Sequence, residues 1–347
     1  MKIDAYVNLA DYTTMQLGGT TRRLVTITSQ DDIVRAYADA VANHYPVYIL
    51  GGGSNTLATD DVFDGDVLHI RIRGVEVVSL TEHETHYRVG AGEVWDDFVR
   101  RTVDDGLSGI EALSAIPGTV GAAPVQNIGA YGQEVASVIE TIEAFDTTSQ
   151  TFVTLRPDEC QFAYRSSIFR TSAYQRYIIC YVTFRLSKEP PRPPFYASVA
   201  AQLEKEDVTA PTAADIRRIV IGIRADKLPD PRLLPNSGSF FKNAIIDGPG
   251  YHALLREYPD APVYPMKNDM YKVSSGWLIE KTGLKSQLLH GIRVHSKNAL
   301  VLINESAQHF HDLEQARDEI IDAVRTKFGI TIEQEPLLLS ASEQSSV

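Results

Sequence analysis

Val47-Tyr48-Ile49-Leu50-Gly51-Gly52-Gly53-Ser54-Asn55 is the stretch on which the reading of this chain turns. The four apolar residues after Pro46 read as a buried strand, and the strand runs directly into three glycines, a serine and an asparagine. A pyrophosphate is held by several backbone N–H groups pointing into one concavity. Any Cβ there would keep the backbone away, so glycine is the residue such a site requires. Two further segments repeat the pattern: Tyr87-Arg88-Val89-Gly90-Ala91-Gly92, and Ile116-Pro117-Gly118-Thr119-Val120-Gly121-Ala122-Ala123-Pro124, the latter followed by Gln126-Asn127-Ile128-Gly129-Ala130-Tyr131-Gly132. One glycine turn after a strand is commonplace; three of them together point to a bound phosphate-bearing ligand. The pattern is not the dinucleotide fingerprint G-x-G-x-x-G opening a helix with an acidic residue about 20 positions on. Nor does a Gly-Lys-Ser/Thr follow, as a Walker loop needs. A dinucleotide is therefore expected in another fold.

Outward from this stretch, the first half reads as strands with a few helices. Strands are predicted at 24–27, 67–72, 138–145, 151–154 and 178–186, the last with the alternation Val182, Phe184, Leu186. Ser29, with Asp32 three residues on, caps a helix whose inward face is predicted as Ile33, Tyr37 and Val41. Trp95, Phe98, Val99 and Val103 form the stripe of a second helix ending near Gly106. Glu189-Pro190-Pro191-Arg192-Pro193-Pro194 cannot continue a strand, because proline removes ladder donors, and a domain boundary is expected there. Beyond it, a helix capped by Thr212 turns Ile216, Ile219 and Ile223 inward. Helices near 250–258 and 275–282 and a strand near 298–303 precede a long helix with the stripe Leu313, Ala316, Ile320, Val324, Phe328 and a stop at Gly329. Ile330 to Glu335 is predicted to be the final strand.

Bulk properties narrow the classes. The chain has 347 residues, 44% hydrophobic and 22% charged, which suits two or three globular domains and excludes disorder. No run approaches the roughly 18 apolar residues of a membrane span. The net charge of -12, with no basic run, argues against a general nucleic-acid surface. Cys160 and Cys180 cannot supply a disulfide scaffold or a four-ligand zinc site, and a reducing cytoplasm suits them. The start of the chain lacks the basic residues and apolar stretch of a secretory signal. His290 and His295, or His309 and His311, do not have metal-motif spacing, and no catalytic metal is expected. His69, His83 and His86 are available for covalent attachment of a cofactor, but none is singled out, so a bound dinucleotide is expected to be non-covalent.

Taken in order, the glycine segments resemble the flavin-binding half of the UDP-N-acetylenolpyruvoylglucosamine reductase family (UDP-N-acetylmuramate dehydrogenase, MurB), which builds a cell-wall precursor in bacteria. The likeness continues through Phe162-Ala163-Tyr164-Arg165-Ser166-Ser167-Ile168-Phe169, Lys227-Leu228-Pro229-Asp230-Pro231, Gly238-Ser239-Phe240-Phe241-Lys242-Asn243 and Ile332-Glu333-Gln334-Glu335. It covers nearly the whole chain. The resemblance implies an α+β protein with a vanillyl-alcohol-oxidase (PCMH-type) FAD-binding fold and a smaller α+β substrate domain. The flavin region is expected over 1–189, as subdomains of about 1–65 and 66–189 with the first completed by the tail 330–347, and the substrate domain over 195–329. Tyr196 and the long stretch before Ser239 are similar to the family's longer subtype, in which a tyrosine-bearing loop folds over the substrate. The chain departs from the family at Gly52, where glutamate is frequent, at Ala122-Ala123, where hydroxyls are usual, and at Ala244 and Gln334, where proline is common. Loss of the hydroxyls at 122 and 123 could remove flavin contacts.

What the resemblance implies about chemistry is the reduction of a carbon–carbon double bond in an enol ether that carries a carboxylate, with FAD as hydride donor and NADPH as reductant. Gly51, Gly52, Gly53, Ser54, Asn55, Gly90, Gly92, Pro117, Gly118, Gly121, Asn127, Gly129, Tyr131 and Gly132 are expected around the cofactor. Ser239 is the expected proton donor, since a glycine gives it room and two aromatics can shut out water. Arg165 and Glu335 are the expected clamp on the developing charge. Glu333, two residues away, is the rival and on a strand would face the same side. Tyr196, Lys227, Lys242, Asn243, Tyr264 and Lys272 are candidates for the substrate and nicotinamide phosphates. The family's partners are a UDP-linked sugar and NADPH. A cytoplasmic bacterial monomer serving peptidoglycan synthesis, and through it cell shape and division, is expected. A flavin oxidase of the same broad fold, which would not need Ser239 with Glu335, and a non-catalytic nucleotide-binding module are the competing readings.

Overall fold

The computed structural model describes residues 1–171 and 175–340. The chain forms two compact units. The first comprises Met1–Val7, Thr21–Gly52 and Phe63–Ala225; the second comprises Asn8–Thr20, Gly53–Val62 and the chain from Asp226 onward.

The first unit is built on two large sheets, with a short two-stranded ribbon of Gly129–Ala130 and Gln133–Glu134. In the four-stranded one the order is Lys2–Asn8, Thr20–Ile27, Phe63–Ile70, Val47–Leu50, and the flanking strands Thr20–Ile27 and Val47–Leu50 both run parallel to Phe63–Ile70. The helix Gln30–Ala42 connects two of them. Ser29 Oγ accepts from the Asp32 amide at 3.2 Å, and the Asp32 carboxylate reaches back to the Thr28 amide and hydroxyl. Its buried face is Ile33, Ala36 and Ala40, whereas Val41 is 47% exposed. A period of four drifts off the face: at 100° per residue, position i+7 returns to within about 20° of the start and position i+8 overshoots by about 80°.

The five-stranded sheet is antiparallel throughout, in the order Thr151–Leu155, Ile139–Asp146, Tyr177–Ser187, Glu84–Gly90, Val75–Leu80. Val182, Phe184 and Leu186 alternate into its core, where Phe184 meets Phe98 and Trp95 of the helix Trp95–Asp104 at ring separations of 5.0 and 6.0 Å. The proline run ends a strand, as expected, but the compact units divide after Ala225 and not there. Two helices beyond the prolines, Ala197–Lys205 and Ala213–Lys227, bury Val199, Leu203, Ile216, Ile219 and Val220 in one cluster with Ala112 of the first unit. The first of these helices was not legible in the sequence pattern. Thr212 and Asp215 cap the second one reciprocally, while Ile223 is only partly buried.

The second unit pairs Asn236–Ser239, Val301–Asn304, Ile292–Val294 and Leu288–Leu289 in that order, beside a three-stranded sheet of Ala244–Asp247, Met270–Val273 and Val263–Pro265. Helices Ser275–Lys281 and Phe310–Phe328 close its core. Leu313, Ala316, Ile320 and Val324 line the inner stripe, and Gly329 ends the long helix at φ 67°. The segment 330–335 forms no strand. It contributes one isolated bridge, Phe241 to Gln334, and the last strand is Leu337–Leu339, parallel to Thr56–Ala58. Pro336 has no N–H to continue a ladder between the two. Residues 341–347 of the tail lie outside the described residues. Among the described residues no helix is long and apolar enough to cross a membrane.

Both cysteines are buried and unpaired. Burial pushes the thiols of Cys160 and Cys180 up to about 12, so almost no thiolate exists near neutrality. A thiol reagent at pH 8 should therefore label neither residue in the folded protein and both in urea; rapid labelling of the native protein would contradict the burial.

Candidate active site

In the first unit the glycine stretch after Val47–Leu50 lies against the Pro117–Thr119 turn. A Cβ on Gly51 would stand 2.8 Å from Thr119 Oγ1, and one on Gly52 would stand 3.1 Å from Gly118 Cα. Gly118 itself has φ +125°, open only to glycine at low cost. The turn is fixed from behind by the Trp95 amide, which donates to Gly118 O at 3.1 Å, and by the Val120 amide, which donates to Glu93 O at 2.9 Å. Among the described residues no backbone carbonyl accepts from the amides of Gly52, Gly118 or Thr119. Two bare loops with unclaimed amides are what the diphosphate of a dinucleotide needs, and these residues fit FAD. His69 hydrogen-bonds the backbone of Gly51; burial and the charge of Arg71 depress its pKa to about 4, so it supports the loop as a neutral ring.

The other glycines divide by cause. A Cβ on Gly92 would lie 2.4 Å from Arg71 Cα, on Gly90 2.5 Å from Ile72 O, and on Gly121 2.5 Å from Ala91 Cβ. Close packing of protein on protein demands glycine at these three positions, whatever is bound. Asn127 is likewise a buried tie: its amide donates to Glu134 at 2.9 Å and to Ala163 O at 3.1 Å, and its oxygen accepts from the Ala136 amide. It joins the Gln126–Gly132 loop to the loop that carries Arg165. Arg165, with φ 52°, donates to Gly129 O at 2.9 Å. Tyr131 meets Tyr196 edge to face at 5.7 Å, so Arg165, Gly129, Tyr131 and Tyr196 form one group. Gly132 is exposed, with φ +84°.

Three residues that the sequence did not reveal hold these loops from behind. Asp96 accepts from the Ala115 amide at 2.6 Å and from both terminal nitrogens of Arg217 at 2.6 and 2.9 Å. Burial raises its carboxyl pKa, but these bonds outweigh that and the net shift is downward. Seven residues after Arg217 on the same helix, Arg224 hydrogen-bonds the Tyr131 hydroxyl, and burial lowers its pKa. Positions seven apart share a helix face, so a single helix braces both the Ile116–Gly118 turn and the Gly129–Gly132 loop. No local motif marks such pairings, which span more than 90 residues.

Gly53, Ser54 and Asn55 belong to the second unit. Gly53 sits at φ +67° where a Cβ would lie 1.8 Å from Tyr12 O, and Asn55 O accepts from the Leu337 amide at 2.9 Å. Ser239 ends the strand Asn236–Ser239 directly after a register shift: Asn236 pairs with Ile303 and Ser239 with Val301, which leaves one extra residue on the Ser239 side. Such a bulge re-aims a side chain. Gly238 takes φ +73° there. Phe240 and Phe241 are fully buried in the unit's core and anchor the strand behind Ser239.

Glu335 is 8% exposed, and its amide donates to Phe240 O at 2.8 Å. Glu333 does not share its side. Its side chain is 73% exposed and pairs with Lys242 at 3.2 Å, while the Lys242 amide donates to Glu333 O. Asn243 accepts from the Ser275 amide at 3.1 Å. Tyr264 and Lys272 are cross-strand partners, with Lys272 Nζ 5.8 Å from the ring centre. Lys227 is exposed at the end of its helix. Among the described residues no group of three or more His, Cys, Asp or Glu side chains is placed to hold a metal ion.

Two family models match the chain: the FAD binding domain over residues 21–154, and the C-terminal domain of UDP-N-acetylenolpyruvoylglucosamine reductase over residues 230–339. The chain is 40% identical over 340 residues to UDP-N-acetylenolpyruvoylglucosamine reductase of Ralstonia nicotianae, covering 97% of this chain and 99% of that one. It is 43% identical over 290 residues to the enzyme of the same name from Bacteroides fragilis, covering 84% and 86%. Among solved structures, UDP-N-acetylenolpyruvylglucosamine reductase (MurB) from Thermus caldophilus superposes with TM-score 0.68 at 24% identity, over 98% of this chain and 100% of that one. 6-Hydroxy-D-nicotine oxidase from Arthrobacter nicotinovorans superposes with TM-score 0.52 at 15% identity, over 95% and 86%, and speaks for the fold alone. The fold is a vanillyl-alcohol-oxidase-type FAD-binding domain with a smaller α+β domain. With both family models matched in order and near-complete coverage of relatives at this identity, the chain belongs to the UDP-N-acetylenolpyruvoylglucosamine reductase family of FAD-binding oxidoreductases.

Proposed function

We propose that the chain reduces the enolpyruvyl double bond of UDP-N-acetylenolpyruvoylglucosamine to give UDP-N-acetylmuramate, with NADPH as reductant and non-covalent FAD as carrier. The observation that carries the reading is local to the second unit: a serine hydroxyl set on a bulge, with a buried carboxylate tied by its backbone to the next residue. When bound, FAD supplies a hydride from its reduced ring. The residues around it manage charge and protons.

Gly51, Gly52 and Gly118 hold the cofactor's phosphates through backbone amides, with Pro117 shaping the turn before Gly118 and Gly53, Ser54 and Asn55 continuing the first loop. Negative charge develops on the substrate carbon next to the site of hydride addition and spreads into its carboxylate. Arg165 offers that carboxylate a fork of donors, and Glu335 hydrogen-bonds the protonated carboxylate or orients Arg165. Ser239 donates the proton that completes the reduction. An alcohol is a weak acid in water, but it serves when fixed beside a strongly basic carbanion.

Lys227, Lys242, Asn243, Tyr264, Lys272 and Tyr196 bind the nucleotide and its phosphates. The Lys242–Glu333 pair is partly exposed and worth at most about 1 kcal/mol, so Lys242 exchanges it readily for a phosphate. In a chain of net charge -12, such isolated cations focus the field locally. Burial of Glu335 and exposure of Glu333 support the assignment to Glu335.

Three outcomes test this. The purified protein should be yellow, with flavin absorption bands that NADPH bleaches anaerobically and the enolpyruvyl nucleotide restores; reduction by a plain sugar with rapid oxygen consumption would instead identify an oxidase. Ser239→Ala should leave bleaching by NADPH nearly unchanged and slow the reoxidation by roughly 10²–10⁴-fold, and equal slowing of both halves would remove the proton-donor role. Glu335→Gln should slow reoxidation comparably, while Glu333→Gln changes it by less than about fivefold; the reverse ranking would move the role to Glu333.

A further inference from the structure

The bulge that precedes Ser239 needs something to hold it. One extra residue between the Ile303 and Val301 partners removes ladder bonds from this strand, and a bulge left to itself can slip by one residue. A slip would turn the Ser239 hydroxyl to the opposite face of the sheet.

Asn236 is placed to prevent this. It is only 3% exposed, and its side-chain amide is used on both sides. Its oxygen accepts from the Gly238 amide at 2.9 Å, a donor inside the bulge. Its nitrogen donates to Leu234 O at 2.7 Å and to Pro229 O at 3.3 Å. The ladder resumes beyond, where the Phe240 amide donates to Leu300 O at 2.7 Å. One buried amide therefore fixes the bulge from within and ties it to the Pro229–Leu234 segment, two residues beyond Lys227. An aliphatic residue of this size would leave the Gly238 N–H and two carbonyls without that partner.

We propose that Asn236 is a positioning residue, which sets the direction of the Ser239 hydroxyl and so the rate of proton delivery, and which touches neither cofactor nor substrate itself. The inference rests on the role of Ser239 proposed above. It extends that role to a residue that no sequence motif singles out.

The test uses the full-length flavin-loaded enzyme, with the two half-reactions followed separately by rapid mixing. Asn236→Ala should take up FAD and be reduced by NADPH within about twofold of the parent rate. Its reoxidation by the enolpyruvyl nucleotide should slow by about 10–100-fold, the size of effect that a displacement near 1 Å produces, with kcat falling and the KM for the nucleotide little changed. Asn236→Ser keeps an oxygen two residues before Gly238 that can accept the same amide, and should recover most of the lost rate.

The double variant Asn236→Ala/Ser239→Ala should be no slower than Ser239→Ala alone, because a residue that acts only through Ser239 has nothing left to position. Losses that add in the double variant, equal slowing of both half-reactions, or a serine variant no better than alanine would each overturn the proposal. If Asn236→Ala fails to fold, Asn236→Asp takes its place: it keeps an oxygen for the Gly238 amide but loses both donations to Leu234 O and Pro229 O, and it should slow reoxidation while leaving reduction by NADPH within about twofold. Normal reoxidation in Asn236→Ala with slow reoxidation in Ser239→Ala defeats the positioning role alone. Normal reoxidation in Ser239→Ala defeats the proton-donor reading as well.

Discussion

The structure depends on how closely backbone can approach backbone. A Cβ on Gly52 would stand 3.1 Å from Gly118 Cα, so only bare backbone brings these two loops this close, and among the described residues no backbone carbonyl accepts from either amide. Behind them, Gly92 crosses Arg71 and Gly121 crosses Ala91 at separations that only glycine allows. These contacts differ in purpose. The first pair leaves amides available in the way a phosphate site requires, and the second pair packs protein on protein. Glycine carries an entropic cost on folding at every such position. The sheets and the aromatic cluster around Phe184 and Phe98 supply the apolar burial that offsets it.

A second constraint is charge. The chain is acidic overall, and within each unit its cations have distinct partners. Arg217 is spent on Asp96 and thereby on the turn before Gly118. Arg224 lies desolvated against the Tyr131 hydroxyl, with its Nε buried and without a hydrogen-bond partner among the described residues. Arg165 donates to the neutral carbonyl of Gly129 and lies over the Tyr164 ring. Lys242 is matched with an exposed glutamate that solvent already weakens.

The helix Ala213–Lys227 illustrates why a proline run is a poor guide to domain limits. Proline ends a strand for a local reason, its missing N–H. Whether the chain beyond it starts a new unit depends on where the next apolar face finds cover. Here Ile216, Ile219 and Val220 find it with Ala112, and two arginines on the same helix reach back to the loops around the cofactor residues.

Much of the protein was legible without coordinates. Period and capping chemistry located the helices that start at Gln30, Ala213 and Phe310, because Ser29, Thr212 and Gly329 act within one turn of themselves. Strand alternation gave Val182, Phe184 and Leu186 the right face, and the ordered motifs pointed to the family. What the residues alone determined is what local sterics and period set: most of the strands and helices, the glycine turns between them, and which side chains could do the chemistry. What only the tertiary structure decided depends on pairings between residues far apart in the chain. It separated Glu335 from Glu333 by burying one and exposing the other, and it showed that 330–335 is not a strand. It placed 195–225 with the first unit, recruited Asp96, Arg217 and Arg224 behind the Ile116–Gly118 turn and the Gly129–Gly132 loop, and set Ser239 on a bulge to which Asn236 is hydrogen-bonded. Burial and register are properties of the partner strand as much as of the residue, and no window of sequence contains both.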